Sequence, residues 1–117
     1  MLLADFVLTL PKTWATAPIY AAGVTLPNKK TACGKSPLGR ASRENLSPQC
    51  TANYIKENPE TFQAVGVYSG TRSGGLVIFD VDRKLSEIKE KWGDDLAKAP
   101  CITSPRPDAA KFLFIVP

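Results

Sequence analysis

Histidine is absent from the 117-residue chain. Its absence removes the general base of Ser-His and Cys-His catalysis and the commonest zinc ligand. Cysteine is scarce: Cys33, Cys50 and Cys101 are scattered, odd in number and never spaced as Cys-x-x-Cys. That usage argues against a zinc knuckle or a disulfide framework and reads as a reduced, cytoplasmic protein. No apolar run approaches the ~18–20 residues of a membrane-spanning helix, so a membrane is not expected among the partners. The N-terminus, Met1-Leu2-Leu3-Ala4-Asp5-Phe6, lacks the basic segment of a secretory signal and carries an early acid. Repeats and low-complexity tracts are also missing. Acid is sparse in two places: Asp5 is the sole carboxylate before Glu44, and no acidic side chain follows Asp108.

What remains is ordinary globular composition, 44% hydrophobic and 22% charged, in a length suited to one domain with a modest core. The net charge of +4 is unevenly placed. Residues 1–43 hold six basic side chains and one acid, whereas residues 44–117 hold nine basic and ten acidic. The basic excess lies in Lys12, Lys29, Lys30, Lys35, Arg40 and Arg43. A one-sided excess of this kind suits phosphate or nucleic acid, although a solvated surface explains the net charge alone equally well.

The most informative stretch runs from Val65 to Asp82. Val65, Val67 and Tyr68 form an apolar run, Gly70, Gly74 and Gly75 bracket a turn, and Leu76 to Val81 is apolar and β-branched until Asp80 interrupts it. The pattern predicts strand, glycine turn and a second, buried strand. Side chains alternate along a strand, so Asp80 and Asp82 are expected to project together while Phe79 and Val81 turn to the core. Paired carboxylates at a strand end suit Mg²⁺ or Mn²⁺, which take hard oxygen ligands. An Asp-x-Asp pair also arises where a strand simply meets solvent or a helix begins.

Elsewhere the pattern is coarser. Leu2 to Leu10 reads as a short helix or strand, and Ala15 to Ala22 as a strand that Pro18 confines to an edge or a bulge. Gly23 to Pro48 is loop-like, and its Gly34-Lys35-Ser36 step has Lys29 where a Walker loop needs glycine. Thr51 is a candidate N-cap for a helix over 52–58. Lys84 to Trp92 is amphipathic, with Leu85, Ile88 and Trp92 on one face and a Glu87/Lys91 pair opposite. Strands are expected at Cys101–Ser104 and Lys111–Val116, separated by a proline-rich turn. The expected fold is α+β, a mixed or antiparallel sheet with helices packed against it.

Four blocks together resemble the N-terminal primase–polymerase domain of plasmid- and phage-type replication proteins, within the archaeo-eukaryotic primase superfamily. They are Leu10-Pro11-x-x-Trp14 before the Pro18 strand, the basic loop with Lys30 and Lys35-Ser36-Pro37, the run from Gly66 to Asp82, and Ile102-Thr103-Ser104-Pro105-Arg106 before the strand that opens with Lys111-Phe112. The third is specific alone; the others add order and spacing. The resemblance implies a nucleotidyltransferase acting on a DNA template and nucleoside triphosphates, with a helicase domain or subunit as a further partner. It implies that Asp80 and Asp82 bind the catalytic Mg²⁺ or Mn²⁺ ions, one activating a 3′-hydroxyl and the other bridging the triphosphate. It makes Ser104, Arg106 and Lys111 candidate phosphate contacts, while the basic excess upstream of the acidic strand makes Lys29, Lys30, Lys35, Arg40 and Arg43 candidate nucleic-acid contacts.

Two departures qualify the match. Lys111 stands where the family carries the histidine of a small-x-His motif, and no acid follows Asp108 to supply the family's third carboxylate. The chain is therefore expected to be an N-terminal portion of a larger replication protein, or a relative that kept the fold as an inactive nucleic-acid-binding module. A haloacid-dehalogenase-like phosphatase also uses Asp-x-Asp, but on its first strand and with different following residues.

Overall fold

The computed structural model describes residues 1–103 and 105–116. It is an α+β protein with antiparallel sheets and helices, divided into two compact units, Met1–Tyr68 and Ser69–Pro117. Its sheet is not single: β1 (Thr16–Tyr20) pairs with β2 (Phe62–Val67), while β3 (Leu76–Val81), β5 (Ala110–Ile115) and β4 (Cys101–Thr103) form a second sheet in the order β3-β5-β4. The two strands flanking the glycine turn thus join different sheets.

In the first unit, α1 (Leu3–Leu8) and α3 (Pro48–Glu57) pack together and against the β1-β2 ribbon. Val7, Ala52, Ile55 and Phe62 form the core there, with Tyr20 and Tyr54 set against the Phe62 ring at 4.9 and 6.1 Å. Burying a side chain such as Phe62 contributes about 1.5–3 kcal/mol. Pro18 sits within β1 one residue before a register shift at Ile19/Tyr20, and its carbonyl accepts from the Leu38 amide at 3.0 Å.

The basic segment differs from the structureless loop expected. Residues 23–32 fold back as a narrow ribbon, closed by Gly23 N–H to Ala32 O, Ala32 N–H to Val24 O and Leu26 N–H to Lys30 O at 2.7–2.9 Å. Asn28 and Lys29 lie in its tip, where Lys29 adopts a positive φ of 71°. Farther on, a short α2 (Gly39–Arg43) seats Ala41 beside Ala17 and Leu46. Backbone pairing to β1 at both Ser36 and Leu46 explains why so polar a segment holds shape.

Helix α3 also begins earlier than Thr51. Ser47 is the N-cap, its hydroxyl accepting from the Cys50 amide at 3.1 Å, and Pro48 occupies the first turn. Thr51 is instead fully buried and accepts a hydrogen bond from the Thr16 hydroxyl at 2.7 Å.

In the second unit, the turn from Gly70 to Gly75 contains one 3-10 turn, Thr71–Ser73. Gly75 has φ 90°, and a Cβ there would lie 1.9 Å from the Val116 carbonyl oxygen, so only glycine fits. Helix α4 (Leu85–Leu96) covers one face of the three-stranded sheet, where Leu85, Ile88 and Leu96 meet Val81, Ala110 and Phe112. Trp92 does not share that face. Its φ of −129° breaks the helical register, leaving the ring 49% exposed beneath the Lys91 ammonium. Strand β3 is an edge strand rather than a buried one: Leu76 and Val81 are buried, whereas Val77 and Phe79 stay exposed.

Candidate functional site

The β3–β5 register decides what faces Asp80. Val81 pairs with Ala110 and Asp80 with Lys111, and Lys111 pairs in turn with Ile102 of β4. Val81 and Ala110 belong to the core beneath α4. Their neighbours Asp80 and Lys111 therefore project from the opposite face of the sheet, side by side. The Lys111 ammonium donates to Asp80 Oδ2 at 2.9 Å.

Asp82 lies just beyond the end of β3. The Arg106 guanidinium, on the turn between β4 and β5, donates to Asp82 Oδ1 at 2.6 Å. Both ion pairs are largely open to solvent, the Lys111–Asp80 pair about half-exposed. Asp80, Asp82, Pro105, Arg106, Ala109 and Lys111 line one open cavity of about 360 Å³. Two acids and two bases thus share a concavity at one end of a single sheet.

The turn carrying Arg106 is itself anchored. Asp108, at φ 55°, accepts from the Ser86 amide and from the Ser86 hydroxyl, both at 2.8 Å, and its carbonyl accepts from the Leu85 amide at 2.9 Å. Asp108 therefore caps the first turn of α4 from the far end of the β4–β5 connection, which Lys84, in the left-handed region and making no cap bond of its own, does not do. Sequence reasoning placed Asp108 in a turn and missed this role, because its partner lies 22 residues away.

The donor set suits a divalent ion in part. Two carboxylates open to one cavity match the usual Mg²⁺ arrangement, in which one or two acids and substrate phosphates complete the shell. Among the described residues no group of three or more His, Cys, Asp or Glu side chains could hold an ion without such help. Asp80 and Asp82 are the side chains that could hold such an ion, and Arg106 and Lys111 line the same cavity beside them. Ser104 lies outside the described residues.

The basic candidates belong to the first unit. Lys29 and Lys30 are exposed at the ribbon tip, and Lys35 lines a small cavity of about 130 Å³ with Ile19, Pro37 and Tyr68. Arg40 and Arg43 are exposed on α2. Arg40 is committed inside the unit: it donates to Tyr54 Oη at 3.1 Å and to Glu44 Oε2 at 2.6 Å, with Cys50 Sγ at 3.8 Å. The Tyr54 hydroxyl, followed by Glu44, raises its pKa further above the ordinary arginine value. Sequence reasoning did not find Tyr54 and Glu44 as partners of Arg40; the i,i+4 spacing to Glu44 was the available signal.

No helix among the described residues is long and apolar enough to cross a membrane. No protein-family model matches the chain, and neither a curated protein nor a solved structure matches it.

Proposed function

We propose that the chain is a primase–polymerase-like nucleotidyltransferase domain of plasmid or phage DNA replication, and that the Asp80–Asp82 cavity is where it takes a metal-bound nucleoside triphosphate. The observation that carries this reading is the convergence of Asp80, Asp82, Arg106 and Lys111 on one cavity. A phosphoryl-transfer site needs both signs of charge within a few ångströms: acids for the metal, bases for the polyphosphate. Bound Mg²⁺ or Mn²⁺ would supply charge neutralisation and polarisation of the phosphate oxygens. Asp80 is carried on a strand, which limits the reorganisation needed to receive an ion. Lys111 offers a point charge to a phosphate, and Arg106 a planar fork. Lys29, Lys30 and Lys35, with Arg43, supply positive charge for the backbone of a DNA template. A helicase domain or subunit would complete the replication machinery.

The test is a fluorescence titration of a labelled nucleoside triphosphate into the 117-residue chain. Binding that Mn²⁺ strengthens in the wild-type chain, with that dependence on the metal lost in Asp80→Ala, supports the reading. Absence of any Mn²⁺-dependent binding by the wild-type chain refutes it.

One observation favours a second reading, a non-catalytic nucleic-acid-binding module of the same fold. Both acids already hold cationic partners, and no third carboxylate joins them among the described residues. Salt-sensitive binding of single-stranded DNA that ignores divalent metal is the outcome this reading requires.

A further inference from the structure

We propose that the four charged side chains select the metal–triphosphate complex over either component alone, by exchanging partners. The inference rests on the nucleotide-binding reading above. Asp80 is held by Lys111 at 2.9 Å and Asp82 by Arg106 at 2.6 Å. A divalent cation arriving alone must draw the carboxylates away from these partners and leave two positive side chains beside a doubly positive ion. A triphosphate arriving alone must draw away the two bases and leave two carboxylates beside its own anionic oxygens. The complex arriving together gives each of the four side chains a new opposite charge. Rupture of the resident pairs is then incurred once, not once per ligand, which is a coupling free energy between the two ligands.

The size of the effect follows from the exposure of the pairs. All four side chains are between 47% and 69% exposed, so each pair is weak and the site can open without an external trigger. Two pairs of this strength correspond to roughly 2- to 30-fold in affinity. Coupling within the site therefore adds to the attraction that metal and triphosphate already have for each other in water. The turn that carries Arg106 is tied to α4 through Asp108 and Ser86, so exchange at Asp82 is expected to move the guanidinium rather than the backbone.

Partner exchange predicts an inversion of sign that a merely structural role cannot produce. Calorimetric titration of the full chain would use Mn²⁺ alone, inorganic triphosphate alone, and Mn²⁺ with a non-hydrolysable nucleoside triphosphate. Lys111→Met is expected to bind Mn²⁺ alone severalfold more tightly than wild type, while binding the complex more weakly. Asp80→Asn is expected to bind metal-free triphosphate more tightly and to lose the benefit of Mn²⁺. Arg106→Met, placed on the turn rather than in the sheet, should repeat the Lys111→Met pattern if that variant is poorly folded. Lys89→Met, which removes a charge outside the cavity, should change nothing. Unchanged or weaker binding of Mn²⁺ alone by both Lys111→Met and Arg106→Met overturns partner exchange and leaves the nucleotide-binding reading standing, provided wild type binds the complex. An equal gain in Lys89→Met overturns it as well, because the effect is then general charge. Failure of wild type to bind the complex at all brings down both.

Discussion

Asp108 holds Ser86 twice, accepting from its amide and from its hydroxyl at 2.8 Å across 22 residues of sequence. This pairing ties the turn bearing Arg106 to the start of α4, and so makes a base that lines the cavity dependent on a helix cap.

Asp108→Ala is therefore expected to destabilise the chain by about 0.5–2 kcal/mol, the usual loss for an N-cap side chain. Asp108→Asn retains an acceptor for the Ser86 amide and should recover most of that loss. Urea unfolding followed by circular dichroism measures both. Equal stability of Asp108→Ala and wild type would show that the cap contributes nothing in solution.

Two glycines should respond in opposite directions to alanine. Gly75→Ala forces a side chain into φ 90° and against the Val116 carbonyl, so a loss above about 1 kcal/mol is expected. Gly93 directly follows the break in α4 at Trp92, with open space where a Cβ would project and no positive φ, so Gly93→Ala should gain about 0.4–1 kcal/mol by restricting the unfolded chain. Thermal melting of the two variants side by side gives the comparison.

The Thr16–Thr51 hydrogen bond is buried and joins β1 to α3. Thr16→Val leaves the Thr51 hydroxyl without that donor in a dry site, at an expected loss of about 1–3 kcal/mol. Thr51→Val in the same background should cost less than it does alone, because it removes a hydroxyl that is buried and already without its donor. A double-mutant cycle by chemical denaturation reads this coupling directly.

Among the basic side chains, position separates two kinds of effect. Lys29→Gln with Lys30→Gln is expected to weaken single-stranded DNA binding and to reduce the salt slope by about 1.4, or about 0.7 for each phosphate no longer neutralised. Arg40→Gln should act chiefly on stability, since its guanidinium is engaged by Tyr54 and Glu44. Fluorescence anisotropy at several salt concentrations, alongside melting curves, distinguishes the two.

Local pattern alone is enough to locate β3 and the glycine turn, because alternation, β-branching and positive-φ demands are properties of neighbouring residues. The same holds for α4 as far as Ile88 and for most of β5. Local pattern fails where a distant partner decides. Thr51 is as good a cap as Ser47 by residue type, yet Thr16 draws it into the core and Pro48 marks the true first turn. Trp92 fits the apolar stripe of α4, but a break in the backbone turns it outward. The strands on either side of the glycine turn read as parts of one sheet, and pairing with β1 and β5 assigns them to separate sheets.

By itself the sequence determined that two acids stand at the end of an apolar strand and that positive charge is concentrated ahead of it, since both are matters of order along the chain. Only the tertiary structure decided that each acid meets a base: Asp80 meets Lys111 through strand register, and Asp82 meets Arg106 through a turn pinned by Asp108. Register and turn anchoring are settled by pairings between residues more than 20 positions apart, and no local periodicity encodes them.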